Sequence, residues 1–213
     1  MTPASVAVLV SGSGTNLAAL LDALRASPLA RVERVVSSRA DAGALEVARR
    51  AGVATAVLAE PGDAAAWVAA AGDARLIVLA GYLKRVPPGA VARFRWRLIN
   101  IHPALLPAFG GVGMYGRRVH QAVLESGAAV SGATVHYVDE EYDRGPTIAQ
   151  WPVPVRPGDT PDSLARRVLE VEHRLLPAAV LALARLGVPE RPVRLFATGS
   201  AFVMGDTGVL ELE

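Results

Sequence analysis

Two continuous apolar runs, Val6-Ala7-Val8-Leu9-Val10 and Leu76-Ile77-Val78-Leu79-Ala80, constrain this chain most. A strand with one wet face alternates apolar and polar residues, and a strand with no wet face does not. Both runs therefore predict strands covered on both sides, the condition of a parallel sheet held between helix layers. The intervening pattern agrees. Leu17, Leu20, Leu21 and Leu24 recur at helical spacing. Residues 32–37 predict a second strand, 43–51 a helix capped by Gly52, 55–58 a third strand and 64–71 a helix. Pro87-Pro88 opens a short helix ahead of a fifth strand that reaches His102. Residues 118–126 predict a helix, and 132–138 and 148–155 two further strands. Thr160 as N-cap and Pro161 at the first helical position start a long helix to about residue 186, with Pro177 as the place for a kink. Strand and helix alternating at this spacing predict an α/β fold, a mainly parallel Rossmann-like sheet flanked by helices. Residues 193–197, 201–204 and 209–212, with a turn at 205–208, predict a short C-terminal β appendage. The division expected is one domain over 1–189 and a hairpin-like extension over 190–213.

A chain of 213 residues, 52% hydrophobic, can bury a full core. No apolar run approaches the roughly 20 residues of a membrane span. Met1-Thr2-Pro3-Ala4-Ser5 lacks the basic start of a secretory signal, so a cytoplasmic location is the default expectation. With Cys at 0, disulfides, thiolate catalysis and cysteine-zinc sites are excluded. The formal net charge is only +2 and no Lys/Arg tract occurs, which gives no surface for nucleic acid.

The first strand runs into Ser11-Gly12-Ser13-Gly14-Thr15-Asn16 and then into a helix. Strand, glycine-rich turn and helix together form an anion site, because backbone N–H groups and the positive end of the helix dipole face the ligand. Thr15 or Ser13 adds a hydroxyl. A dinucleotide fingerprint is absent, since Leu17 stands where its third glycine belongs and no acid ends the second strand at Val35-Val36-Ser37-Ser38. A Walker loop is absent too, for want of Gly-Lys-Ser/Thr. The turn reads as a monophosphate site, against the alternative of a tight turn with no ligand.

Two polar residues, Asn100 and His102, interrupt the apolar stretch Leu98-Ile99-Asn100-Ile101-His102-Pro103. Residues two apart in a strand share a face, and Pro103 ends regular pairing. An amide and an imidazole thus emerge together at a strand end, where open α/β sheets bind ligands. The alternative is a pair of buried polar groups satisfied by backbone. An amide N–H can stabilise a developing oxyanion, and an imidazole can carry a proton near neutral pH. The pair suits acyl transfer.

At this point the sequence resembles a known family. Ser11 to Asn16, Leu79-Ala80-Gly81-Tyr82, Asn100-Ile101-His102-Pro103-Ala104-Leu105-Leu106-Pro107, and Gly132 to Val138 followed by Asp143-Arg144-Gly145-Pro146-Thr147-Ile148 are similar to the phosphoribosylglycinamide formyltransferases. The resemblance covers roughly residues 6–186. It implies transfer of the formyl group of 10-formyltetrahydrofolate to the amino group of glycinamide ribonucleotide in purine synthesis. The folate is a co-substrate, and no metal is implied. Asn100, His102 and Asp143 are the implied catalytic set, with Asp143 holding His102 and raising its pKa. Gly12, Ser13, Gly14, Thr15 and Asn16 are implied at the nucleotide phosphate and Glu172 at the ribose hydroxyls. Leu83, Lys84, Arg85 and Val86, with Asn100 and the loop Asp139-Glu140-Glu141-Tyr142-Asp143, are implied around the folate. His136 matches a family histidine near the aspartate, and on physics alone is equally a core histidine. His120 is expected to be exposed or to support the site from behind.

The family usually has Met-Arg-Ile-Leu where this chain has Leu83-Lys84-Arg85-Val86. An arginine that contacts the folate tail in some members has no counterpart near 60–66, and the Gly110–Gly116 loop is longer than in some members. Formyltetrahydrofolate hydrolase is the nearest rival, but it usually carries an additional N-terminal domain, for which a first strand at about residue 6 leaves no room. Methionyl-tRNA formyltransferase adds a C-terminal domain larger than 190–213. A nucleotide-binding oxidoreductase module lacks its fingerprint here. The partners expected are the nucleotide and a reduced folate, without nucleic acid or membrane, in a monomer or homodimer.

Overall fold

The computed structural model describes residues 2–198, 201–204 and 208–210. The chain runs β1 (Ala4–Val10), α1 (Thr15–Leu24), β2 (Ala30–Ser37), α2 (Gly43–Arg50), β3 (Ala54–Val57), α3 (Ala64–Ala71), β4 (Leu76–Leu79), α4 (Pro88–Arg93) and β5 (Leu98–His102). It continues through α5 (Arg117–Glu125), β6 (Val130–Tyr137), β7 (Thr147–Pro154) and α6 (Pro161–Arg185). Three short strands follow, β8 (Leu195–Thr198), β9 (Ala201–Met204) and β10 (Gly208–Leu210).

The main sheet has seven strands in the order β3-β2-β1-β4-β5-β6-β7. β1 to β5 pair in parallel, while β6 pairs antiparallel with both β5 and β7. The chain moves outward from β1 to β3, then crosses back to β4 on the other side of β1. Loops leaving β1 and β4 therefore diverge and open a crevice at their C-terminal ends.

The apolar run of β1 is explained by its two faces. Val6, Val8 and Val10 pack into one core cluster with Leu17 and Leu20 of α1 and Leu164, Val168 and Leu176 of α6. Ala7 and Leu9 enter a second cluster on the opposite face, with Trp67 of α3, Ala90 of α4 and Phe94. Neither face meets water, so neither can be polar.

α6 opens with a capping box: Thr160 Oγ1 accepts the Ser163 N–H, and Ser163 Oγ accepts the Thr160 N–H. The helix stays continuous through Pro177. At the end of α2 the cap is Ala51, and Gly52 follows it at φ 71°, one position later than the sequence pattern suggests. β8, β9 and β10 form a separate antiparallel sheet. Residues 205–207 of the expected hairpin turn lie outside the described residues. Among the described residues, no helix is long and apolar enough to cross a membrane.

Candidate active site

β5 delivers Asn100 half-buried and His102 buried at its C-terminal end. The loop beyond is pinned from β6 and β7. Thr134 Oγ1 accepts the Leu106 N–H at 3.1 Å and donates to the Ala104 carbonyl at 2.6 Å. Gln150 Nε2 donates to the Leu106 carbonyl at 2.8 Å. The fixed loop presents the Phe109 carbonyl to His102, whose Nε2–H donates to it at 2.9 Å. A carbonyl only accepts, so the Nε2 proton is committed there. His102 Nδ1 then faces Asp143 Oδ2 at 3.6 Å.

Asp143 arrives from the loop between β6 and β7, in left-handed backbone at φ 58°. Its Oδ2 accepts the Gly111 N–H at 2.8 Å, and its Oδ1 lies 3.6 Å from His136 Nε2. His136 opposes Asn100 in the β5–β6 register. The His136 Nδ1–H donates to the Tyr137 carbonyl at 2.8 Å, and Nε2 on the other side of the ring lies 3.1 Å from Asn100 Nδ2. One carboxylate is thus flanked by two imidazoles, and one of these holds the amide.

Burial pulls the His102 pKa below its ordinary value, against the upward pull of the Asp143 charge and the Phe109 carbonyl. The sequence expectation has Asp143 raising this pKa; the push exists, but desolvation outweighs it. Burial pushes the Asp143 carboxyl upward, yet the His136 ring, His102 and the Gly111 N–H together bring it below the ordinary carboxylate value.

A cavity of about 740 Å³ spreads from this cluster. Leu83, Lys84, Arg85 and Val86 line one wall, and Asp139, Glu140, Glu141, Tyr142 and Asp143 the facing one. The walls are tied where the Arg85 guanidinium donates to the Glu140 carbonyl at 3.0 Å. Asn16 and Glu172 also line the cavity, with Asn16 Nδ2 donating to Glu172 Oε2 at 2.6 Å. Burial pushes the Glu172 carboxyl up to about 7, and the Asn16 hydrogen bond partly offsets this.

A sequence model described as formyl transferase matches residues 4–180. The chain belongs to the formyl transferase family. It is 43% identical over 194 residues to the phosphoribosylglycinamide formyltransferase of Mycobacterium tuberculosis, covering 87% of each chain. The crystal structure of glycinamide ribonucleotide transformylase 1 from Symbiobacterium toebii superposes with a TM-score of 0.78 at 41% identity, covering 93% of this chain and 92% of that one. The chloroplastic phosphoribosylglycinamide formyltransferase of Arabidopsis thaliana is 44% identical over 188 residues, and this chain spans 64% of that relative's length.

In this formyl transferase the fold brings together Asn100, His102, His136 and Asp143, though Asp143 lies more than forty residues beyond β5 in the sequence. The glycine turn is placed differently. Of its residues only Asn16 lines the cavity; Gly12, Ser13 and Thr15 sit exposed beyond it, and Gly14 is buried against α2. Neither the Thr15 nor the Ser13 hydroxyl caps α1, whose N-cap is Gly14 at φ 87°.

Of the two expectations for His120, exposed or supporting the site from behind, the exposed one is corrected. His120 is buried on α5 and lines the cavity, and burial followed by the His102 charge lowers its pKa to about 4. Its neighbours Val119 and Val123 are the buried stripe of α5, and that spacing is the sequence signal for its position. The sequence reading also missed the wall formed by Gly111 to Arg118 and the α6 residues Ala165 and Leu169, which share a face with the expected Glu172. The i, i+4, i+7 spacing of that face was legible; the glycine-rich loop carries no periodic signal.

Proposed function

We propose that this formyl transferase moves the formyl group of 10-formyltetrahydrofolate to the amino group of glycinamide ribonucleotide, with residues 1–189 carrying the reaction. The observation that carries the proposal is one cavity lined by two chemically different clusters. One is Asn100, His102, His136 and Asp143, and the other is the Asn16–Glu172 pair beside the helix N-terminus. The names of the relatives support the choice of substrates.

The chemistry follows from the hydrogen bonds. The substrate amine attacks the formyl carbon, the carbonyl oxygen takes up negative charge, and the amine must shed a proton. Asn100 has two amide N–H groups. One is spent on His136, and the other is free to stabilise the oxyanion. His102 keeps its Nε2–H on Phe109, so its exchangeable position is Nδ1, on the Asp143 side. The amine's proton passes to the Asp143–His102 pair, directly or through one water, and from there to the departing folate nitrogen. Holding both substrates in one cavity adds the gain of an intramolecular reaction. The folate fits between the 83–86 and 139–143 walls, and the nucleotide between the glycine turn and Glu172. The orphan N–H groups of the first turn of α1 suit its phosphate.

The test is release of tetrahydrofolate by the purified protein with and without the nucleotide. Nucleotide-dependent release with matching formylation of the amine is expected. Equal release without the nucleotide would point to a hydrolase instead.

A further inference from the structure

We propose that His120 binds the acceptor substrate: its Nε2–H donates to the amide carbonyl oxygen of the glycinamide group, beside the carbon that carries the reacting amine. The proposal rests on the reaction proposed above. His120 lies with Val119 and Val123 on the buried stripe of α5, is only 4% exposed and lines the cavity. A buried polar side chain normally has a hydrogen-bond partner, and each exception calls for an explanation. His102 and His136 follow the rule, each with one ring nitrogen on a backbone carbonyl. His120 does not: among the described residues neither of its nitrogens has a hydrogen-bond partner.

The two nitrogens differ in access. Nδ1 is sealed from solvent, whereas Nε2 is not among the sealed atoms and opens to the cavity that the residue lines. That difference selects the tautomer. An orphaned buried N–H is rarer than an orphaned acceptor, so the proton of the neutral ring belongs on Nε2, where water or a ligand can accept it. Burial, with the His102 charge, keeps the ring neutral above a pKa of about 4, so it offers one uncharged donor. Such a donor takes an acceptor oxygen, and its place in the fold says which. His120 stands close enough to His102 to feel its charge, and α5 packs against α6, which carries Glu172. In glycinamide ribonucleotide the group that joins the amine to the ribose is an amide, and its carbonyl is the acceptor on that stretch. The formyl oxygen is already assigned to Asn100 and the phosphate to the turn before α1.

The test compares wild type with His120→Phe, which keeps a ring without a donor, and His120→Gln, whose side-chain amide restores an N–H. His120→Phe should raise the nucleotide KM by about tenfold, the scale of one hydrogen bond and the acceptor it leaves unpaired, with kcat and the folate KM within about twofold. His120→Gln should recover most of that loss. An unchanged nucleotide KM in His120→Phe would overturn the proposal and leave His120 a packing residue. A fall in kcat at unchanged KM would overturn it in favour of contact with the reacting atoms, and an equal loss in His120→Gln would assign the effect to shape. His120→Leu, equally without a donor, takes the place of His120→Phe if that variant does not fold. Calorimetry supplies a readout independent of turnover. The thioamide analogue of the nucleotide puts sulfur, a weak acceptor, in place of the carbonyl oxygen. Wild type should bind it about tenfold more weakly than the amide, and His120→Phe should bind the two within about twofold. The same penalty in both proteins, or none in wild type, would sink the contact even if formyl transfer is confirmed. Ribose 5-phosphate lacks the amide and should bind both proteins alike; weaker binding by His120→Phe would move the contact to the sugar or phosphate and overturn the assignment. If only wild type tells amide from thioamide, but no formyl product forms, the reaction is wrong and the contact stands.

Discussion

Asp143 carries the most constraint of any single residue in the site, since left-handed backbone holds its carboxylate between two buried imidazoles. Asp143→Asn keeps the shape and removes the charge, so it should lower kcat by about 10²-fold or more. It should also move the pH profile in a defined direction. The Asp143 charge raises the pKa of His102 against the larger effect of burial. Without that charge His102 protonates only at lower pH, so the acid limb of kcat/KM should shift to lower pH; an unmoved limb would remove His102 from the proton path. Asn100→Ala should cost about 10²–10³ in kcat with little change in fold, as expected for one oxyanion donor. Glu172 makes a prediction about stability. Its folded pKa of about 7 lies above the ordinary 4.5, so the folded state binds the extra proton between those values. Stability from this group is greatest below the unfolded pKa and falls as pH rises to about 7, by roughly 3 kcal/mol. Glu172→Gln should therefore be as stable as wild type near pH 4 and more stable at pH 8, measured by thermal unfolding without ligand. A variant less stable at pH 8 would mean that Glu172 is held by interactions beyond Asn16.

The elements that position these residues were legible in the sequence to different degrees. The glycine turn between β1 and α1 was legible as a turn, but not its reason for glycine at position 14. A Cβ there would lie 2.6 Å from Ala44 Cα of α2, in a backbone conformation of φ 87°. That contact is made across 30 residues, and local pattern carries no trace of it. It changes how the turn should be tested. Gly14→Ala should destabilise the whole protein by more than the ~1–2 kcal/mol of the left-handed conformation alone, seen as a lower midpoint of chemical unfolding. Gly12 has nothing within 4 Å of an added Cβ and sits exposed. Gly12→Ala should unfold like wild type, and any rise in its nucleotide KM then reports on phosphate approach rather than on folding. The start of α6 was legible, because a threonine N-cap and a proline at the first position are local signals, while the Ser163 half of the capping box emerged only in the structure. The Gly111–Arg118 wall was not, since glycines at φ 104°, 85° and 56° break every periodicity on which an assignment could rest.

At the scale of the whole molecule, the strand runs revealed a parallel sheet without revealing its order. β2 and β4 both flank β1, and nothing in either sequence says on which side each pairs. That choice creates the crevice between the β1 and β4 exits. The antiparallel return of β6 then carries His136 back alongside Asn100 and leads into the loop that bears Asp143. Each of the two substrate pockets proposed above would consequently join an early segment to a late one: α1 with α6 for the nucleotide, and the 83–86 loop with the 139–143 loop for the folate. A ligand that binds only where such segments have come together stabilises the folded state by RT ln(1 + [L]/Kd), about 2.7 kcal/mol at a hundredfold excess over Kd. Nucleotide alone and an unreactive folate analogue alone should each raise the unfolding temperature, and the pair together should raise it further. Asp143→Asn should keep the nucleotide shift while losing turnover, since its carboxylate contacts Gly111, His102 and His136 and not the Asn16–Glu172 pair. If the two ligands together shift the transition no more than the better one alone, they compete for the same space, and the arrangement of two substrates side by side in one cavity is wrong.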